Sequence, residues 1–205
     1  MLSSVITISR QFGSGGRFIG KMLAERLGIP FYDNELITIA AKHSGYSEGL
    51  FENADKNTSH SLLYSLSMFG TTAGVYGLPL SDKVFLIQSD VIRKVASEGA
   101  CVVIGRCADY VLKDNPNVVN VFIHSDTKSK VERAVKYYNI EEKDAANQIN
   151  KIDKKRSTYY SYYTGQKWGE ASNYDLSLHC DAIGVEKCVD IIEMFVKQKE
   201  ENAKA

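Results

Sequence analysis

Gly13-Ser14-Gly15-Gly16 lies between an apolar run that ends at Ile8 and a periodic apolar segment that begins at Phe18. With almost no Cβ atoms in the way, the backbone N–H groups of such a turn can point inward at an anion, and a helix N-terminus behind them adds its partial positive charge. Arg17, at the helix entry, brings a full positive charge to the same place. Two other strand ends carry chemistry. Asp33 closes the short run Ile29-Pro30-Phe31-Tyr32, and Gly105-Arg106 closes the longer run from Ala100 to Ile104. In an open parallel sheet, ligands bind at the carboxyl edge, where such residues stand. Asp33 can hold a magnesium ion through water or take the proton of an attacking oxygen, and it is equally suited to cap a helix beginning near Asn34. Arg106 can donate two parallel hydrogen bonds to a phosphate, the alternative being an ordinary surface or ion-pair arginine.

The strict phosphate-loop pattern, G-x-x-x-x-G-K-[ST], is not met. With Gly13-Ser14-Gly15 at its core, Gly16 stands where the lysine belongs and Arg17 where the magnesium-binding hydroxyl belongs. Arg17 can supply the missing cation and Ser14 a hydroxyl, which favours phosphate binding over a plain strand-to-helix turn tightened by glycines.

To position these residues the chain must alternate strands and helices. Val5, Ile6 and Ile8 suit a buried parallel strand, and Phe18, Ile19, Met22, Leu23 and Leu27 recur at helical spacing up to Gly28. Strands are predicted near residues 4, 30, 101, 118 and 174. Helices are predicted over 34–44, 81–98, around Tyr110 and Leu112, from the Ser125-Asp126 cap to Tyr138, through the charged 141–156 and from Val185 to Val196. The polar tail from Lys199 to Ala205 is expected to fray. The pattern is that of a single three-layer α/β domain over residues 1–205 with a five-stranded parallel sheet.

Two segments stand apart from this alternation. Residues 46–80 mix small polar residues with Phe51, Leu63, Tyr64, Phe69 and Tyr76, and read as a helical flap whose aromatics either flank a base, pin the flap to the body or offer a homodimer surface. Residues 151–172 run from Lys154-Lys155-Arg156 into Tyr159, Tyr160, Tyr162, Tyr163 and Trp168. They read as a lid over a phosphoryl donor, as a grip on single-stranded nucleic acid through phosphates and stacking, or as a solvated helix face followed by a packed tyrosine cluster.

Composition narrows the partners. Twenty-five basic residues balance twenty-five acidic ones, which removes the electrostatic case for a dedicated nucleic-acid binder, so any anion site is local and its ligand a small molecule. Neither a membrane span nor a leader is expected. Cys101, Cys107, Cys180 and Cys188 show no C-x-x-C spacing and read as reduced thiols of a cytoplasmic protein, with Cys101 in the core.

Taken together, Ile8-Ser9-Arg10-Gln11-Phe12-Gly13-Ser14-Gly15-Gly16-Arg17, Phe31-Tyr32-Asp33, Ile104-Gly105-Arg106-Cys107-Ala108-Asp109 and the run from Asp153 through Arg156 and Tyr159-Tyr160 to Asn173-Tyr174-Asp175-Leu176 resemble the cytidylate kinase-like family. The blocks occur in order across nearly the whole chain. The resemblance implies a P-loop NTPase-type fold with a helical insertion and an arginine-bearing lid. It further implies a kinase that uses ATP and magnesium to phosphorylate a nucleoside monophosphate, CMP first. Carried over, Gly13, Ser14, Gly15, Gly16 and Arg17 would cradle the donor phosphates, and Asp33 would lie beside metal and acceptor. Arg106 looks like the arginine that grips the acceptor phosphate, while Arg133 and Arg156 look like those that close on the transferring group, with Asp153 orienting them. Such arginines matter because the transition state spreads charge over oxygens. The family's lysine and the Ser/Thr after it are replaced here by Gly16 and Arg17, and its short insertion by the unlike segment 46–80. Two further functions therefore stay open: a non-catalytic nucleotide-binding or regulatory module, and a small-molecule kinase with a non-nucleotide acceptor.

Overall fold

Each of the five apolar runs forms a strand in the computed structural model, which describes residues 3–33, Leu36, Ile39 and 78–203. These are β1 (Val5–Arg10), β2 (Phe31–Tyr32), β3 (Cys101–Ile104), β4 (Val118–His124) and β5 (Leu176–His179). They build one sheet in the order β2-β3-β1-β4-β5, and every pairing is parallel. β1 is the central strand, with Val5 in register with Cys101 on one side and Val118 on the other. The residues that follow β1, β2 and β3 therefore leave the sheet at one edge, side by side.

The helices are α1 (Gly16–Leu27), α2 (Leu80–Glu98), α3 (Ala108–Val111), α4 (Thr127–Tyr138), α5 (Glu142–Thr164), α6 (Cys180–Ile183) and α7 (Val185–Asn202). Successive strand residues face opposite ways, so a sheet covered on both faces needs two apolar layers. Ile6, Ile8, Val102, Ile104, Val121 and Ile123 pack with Ile19 and Leu23 of α1 and Val189, Ile192 and Val196 of α7. Val5, Cys101, Val103 and Val118 pack instead with Val84, Val91, Ile92 and Val95 of α2 and with Ala108 and Leu112. The result is the expected three-layer α/β arrangement. All four cysteines are free and buried, and no described helix is long and apolar enough to cross a membrane.

In two places the elements run further than their composition suggests. The charged stretch and the tyrosines after it form one continuous helix, α5, ended by Gly165 at a left-handed φ of 68°. Its aromatics hold it to the body: the Tyr160 hydroxyl donates to Asp109 at 2.6 Å, and Tyr163 stacks on Phe85 at 4.0 Å between ring centroids. Trp168 completes the attachment by donating its indole N–H to Ser9 Oγ at 3.2 Å. The segment expected as a lid begins inside α5, where Tyr160 and Tyr163 make these contacts. Of the tail expected to fray, Lys199 to Ala205, residues 199–202 are instead the last turn of α7, and 204–205 lie outside the described residues. Lys199 donates to the Val118 carbonyl at 2.7 Å, and Glu200 accepts the Ser3 and Ser4 amides at 2.7 and 2.8 Å. Apart from Leu36, which is buried in the α2 layer, Ile39, which packs against it, and residues 78–80, the helix expected over 34–44 and the flap over 46–80 lie outside the described residues.

Ile8 is fully buried two residues before the strand ends. Ile8→Ala removes packing from both α1 and the neighbouring strands, and a loss of about 2–5 kcal/mol is expected in urea unfolding; a loss under 1 kcal/mol would show that this layer tolerates a cavity.

Candidate functional site

At the carboxyl edge the chain leaves β1 at Arg10, turns through Gln11 to Gly15 and enters α1. The near half of this loop is anchored: the Gln11 amide donates to the Ile123 carbonyl at 3.0 Å, and the Phe12 amide to Asp153 Oδ1 at 2.7 Å. Gly13 and Gly15 take φ of +74° and +90°, the left-handed region that side chains avoid. A Cβ on Gly13 would also lie 2.6 Å from the Lys130 carbonyl of α4, so the loop rests on that backbone. Ser14 is buried, and its hydroxyl serves the loop itself, donating to the Gln11 carbonyl at 2.8 Å and accepting the Gly16 amide at 3.4 Å. Among the described residues, the amides of Gly13, Gly15 and Arg17 have no protein acceptor, and all three residues line a crevice of about 270 Å³.

Positive charge dominates this crevice. Among the described residues, Arg10, Arg17 and Arg156 line it against one carboxylate, Asp33. Arg17 Nε donates to Asp33 Oδ2 at 2.5 Å, while Arg10 Nη2 stands 3.8 Å from Asp33 Oδ1. Arg156, one turn beyond Asp153 on α5, donates to the Arg10 carbonyl at 3.0 Å and lies over the Phe12 ring at 5.5 Å. Burial pushes the Arg10 guanidinium down to about 9, the charges of Arg156 and Arg106 add to that, and Asp33 offsets only part of it. Arg156 is lowered as well, first by burial. Arg17 moves the other way because of its bond to Asp33. Clustered like charges with little water around them destabilise one another, and a bound anion relieves exactly that repulsion in sign and place.

The other expected residues fall into a supporting layer. Asp153 holds the Phe12 amide and sits 3.5 Å from Lys130 Nζ; burial raises its pKa, and the Phe12 amide, Arg156 and Lys130 pull it back. Arg133 reaches the loop from behind, donating to the Gly13 carbonyl at 3.2 Å, to Ser125 Oγ at 2.8 Å and to Asp181 Oδ1 at 2.7 Å. It is not among the residues lining the crevice, and in this arrangement it braces the loop. Arg106 is likewise absent from the lining, although its charge is felt by both Arg10 and Arg156. It stands in a sharp turn in which Gly105, Arg106 and Cys107 take φ of 70°, 57° and 55° in succession, a costly backbone for two residues that are not glycine.

Arg10, Lys130, Tyr138 and Asp181 belong to the site or its support without having been picked out by type and spacing. Arg10 ends its strand as Asp33 and Arg106 end theirs, so the strand-end signal covers it. Tyr138 lines the crevice from the end of α4, a placement without local signature. As for magnesium, among the described residues Asp33 is the single carboxylate lining the crevice, both of its oxygens face guanidinium groups, and the Ser14 hydroxyl is engaged within the loop. These residues do not fit a magnesium ion held by the protein, which requires free oxygen ligands.

The brace behind the loop should be visible in acid. Burial raises Asp181, but bonds from Ser125, Arg133 and the Asp126 amide outweigh it and bring the carboxyl from 3.8 down to about 2. A carboxylate depressed in the folded state contributes stability at pH above its unfolded value, lost as pH falls through the folded one. Wild-type stability should therefore drop between pH 3.8 and about 2, and Asp181→Asn should be less stable at pH 7 and lack that part of the slope. Equal slopes for the two proteins in urea unfolding across this range would remove Asp181 as the anchor of Arg133.

A family model described as the cytidylate kinase-like family matches residues 5–182. Among solved structures, an uncharacterized protein from Eubacterium ventriosum is 30% identical with a TM-score of 0.71, covering 95% of this chain and 98% of that one. Shikimate kinase from Bacteroides thetaiotaomicron is similar at a TM-score of 0.56 and 14% identity, over 95% of this chain and 98% of that one. Shikimate kinase from Acinetobacter baumannii in complex with shikimate is similar at a TM-score of 0.52 and 13% identity, over 97% and 94%. At such identities the two kinases share the fold alone, which is the P-loop kinase fold. No curated protein matches the chain.

Proposed function

The chain belongs to the cytidylate kinase-like family, and from that premise we propose that it is a phosphotransferase that moves the γ-phosphoryl group of ATP to a nucleoside monophosphate, CMP first among them. The observation that carries this reading is the crevice itself: amides without protein acceptors on one wall, and three guanidinium groups facing one carboxylate. Phosphoryl transfer asks a protein mainly to position two oxygens in line and to neutralise charge on the group between them, and this crevice is built of neutralising groups.

The state of Asp33 bears on the acceptor. A phosphate monoester whose second pKa is about 6 is largely dianionic at neutral pH. One of its oxygens can attack the γ-phosphorus directly, the bond from that phosphorus to the bridging oxygen breaks, and ADP leaves with the electron pair. No proton has to be removed. An alcohol acceptor needs a base, and among the described residues the one carboxylate lining the crevice is held by Arg17 at 2.5 Å. A phosphate acceptor is therefore favoured over an alcohol such as shikimate. In this reading the amides of Gly13, Gly15 and Arg17 hold the donor, Arg10 and Arg156 take up transition-state charge, and Arg106 meets the acceptor phosphate. Arg133 and Asp153 are positioning residues, one through the Gly13 carbonyl and the other through the Phe12 amide. Magnesium is proposed only as an ion carried on the triphosphate's own oxygens, since Asp33 is engaged. Free cysteines suit a cytoplasmic location.

Coupled ADP release, measured with ATP, magnesium and a panel of nucleoside monophosphates, tests the proposal. At least one monophosphate should raise ADP formation well above the ATP-only rate, and shikimate should not. If ATP binds by calorimetry while no acceptor stimulates ADP release, the chain is a nucleotide-binding module rather than an enzyme.

A further inference from the structure

The loop departs from G-x-x-x-x-G-K-[ST] at both ends, and the two departures touch. Set on the register that places Gly15 at the second glycine, Arg10 stands at the first glycine and Gly16 at the lysine. The chain thus has a cation where the pattern has no side chain, and no side chain where the pattern has its cation. Gly16 is an ordinary helical residue, absent from the positive-φ glycines, so its backbone does not require glycine. Space does. A Cβ there would lie 2.6 Å from Arg10 Cβ, 3.1 Å from Arg10 Cγ and 3.2 Å from Ile123 Cβ. On its far side Arg10 passes over Gly105, where a Cβ would collide with Nη1. The arginine runs between two glycines into the crevice.

What it does there is left unfinished by the protein. Among the described residues, the Arg10 guanidinium donates no hydrogen bond; its nearest carboxylate oxygen, on Asp33, is 3.8 Å away. Its side chain is 19% exposed, and neighbouring Arg156 and Arg106 repel it. Arg17, the cation at the helix entry, is 48% exposed and already locked on Asp33. A half-buried cation with several N–H donors and no hydrogen-bond acceptor among the described residues calls for an anionic ligand.

We propose that Arg10 makes the contact to the donor's terminal phosphates that the loop lysine makes in the usual pattern, and that Gly16 is bare because Arg10 fills its space. This assignment rests on the phosphotransferase reading above. Arginine suits the substitution, since its planar fork reaches two phosphate oxygens at once from a strand end, where lysine would deliver a point charge from the helix.

Calorimetric titration of ATP and AMP into wild type, Arg10→Gln, Arg10→Gly, and the double variant Arg10→Gly with Gly16→Lys tests the exchange, with thermal unfolding confirming that each variant is folded. Arg10→Gln keeps the bulk and removes the charge, and should weaken ATP by about tenfold or more while changing AMP, which lacks the terminal phosphates, far less. The double variant should regain most of the affinity lost by Arg10→Gly, because the lysine now has both its place and its room. ATP affinity unchanged in Arg10→Gln, or a double variant no better than Arg10→Gly, overturns the assignment and leaves the phosphotransferase reading standing. A wild type that does not bind ATP at all overturns both.

Discussion

Positive charge at the sheet edge, held where little water reaches it, is the constraint around which the site is arranged. Arg10, Arg17 and Arg156 share a crevice with one carboxylate, and burial together with mutual repulsion works against the charge of Arg10 and Arg156. A fold tolerates such a cluster only if its groups cannot move apart, and the surrounding contacts supply that. Asp33 clamps Arg17, the Arg10 carbonyl accepts from Arg156, and Gly16 and Gly105 clear the corridor in which Arg10 lies. A polyphosphate, the ligand proposed above, would bring negative charge to this place, so the mutual repulsion of the arginines would favour the bound state.

That arrangement needs a rigid backing, and the topology provides one. β1 is hydrogen-bonded on both sides and buried on both faces, so the loop that follows it starts from a strand fixed at the centre of the sheet. Behind the loop, Arg133 ties the Gly13 carbonyl to Ser125 and Asp181, elements that follow β4 and β5. Asp153 draws α5 onto the Phe12 amide. The loop is thus held from the ends of β4 and β5 and from the long helix, and Gly13 in particular lies where a Cβ would meet the Lys130 carbonyl. Two of the arginines that family resemblance would set beside the transferring group divide the work accordingly: Arg156 lines the crevice, and Arg133 acts on it through the backbone.

The family match and the shared P-loop kinase fold agree with phosphoryl transfer, while the site departs from the usual loop in charge, bulk and metal ligands together. These departures are coupled. With a cation at the strand end the helix position carries no side chain, and Arg17, placed where the pattern has a hydroxyl, binds the Asp33 carboxylate. The loop keeps its backbone cradle throughout, because that cradle depends on glycine geometry and not on which side chain brings the charge.

Much of this was legible in the linear pattern. Short β-branched runs spaced by helical periodicity specify strands, helices and a parallel three-layer core, since both periodicities are consequences of local backbone geometry. Strand-end position marked Asp33 and Arg106, and glycine spacing marked the loop, with Arg10 open to the same reasoning. What type and spacing do not carry is which groups engage one another. That Ser14 turns its hydroxyl inward, that Arg17 takes Asp33, that Arg133 stands behind the loop and that the tyrosines continue α5 all depend on contacts between residues far apart in the chain, as between Arg133 and Asp181 or Tyr160 and Asp109. The sequence alone determined the elements and the edge at which charge gathers; the tertiary structure decided which charges are already paired, because pairing is set by distances across the fold and not by order along it.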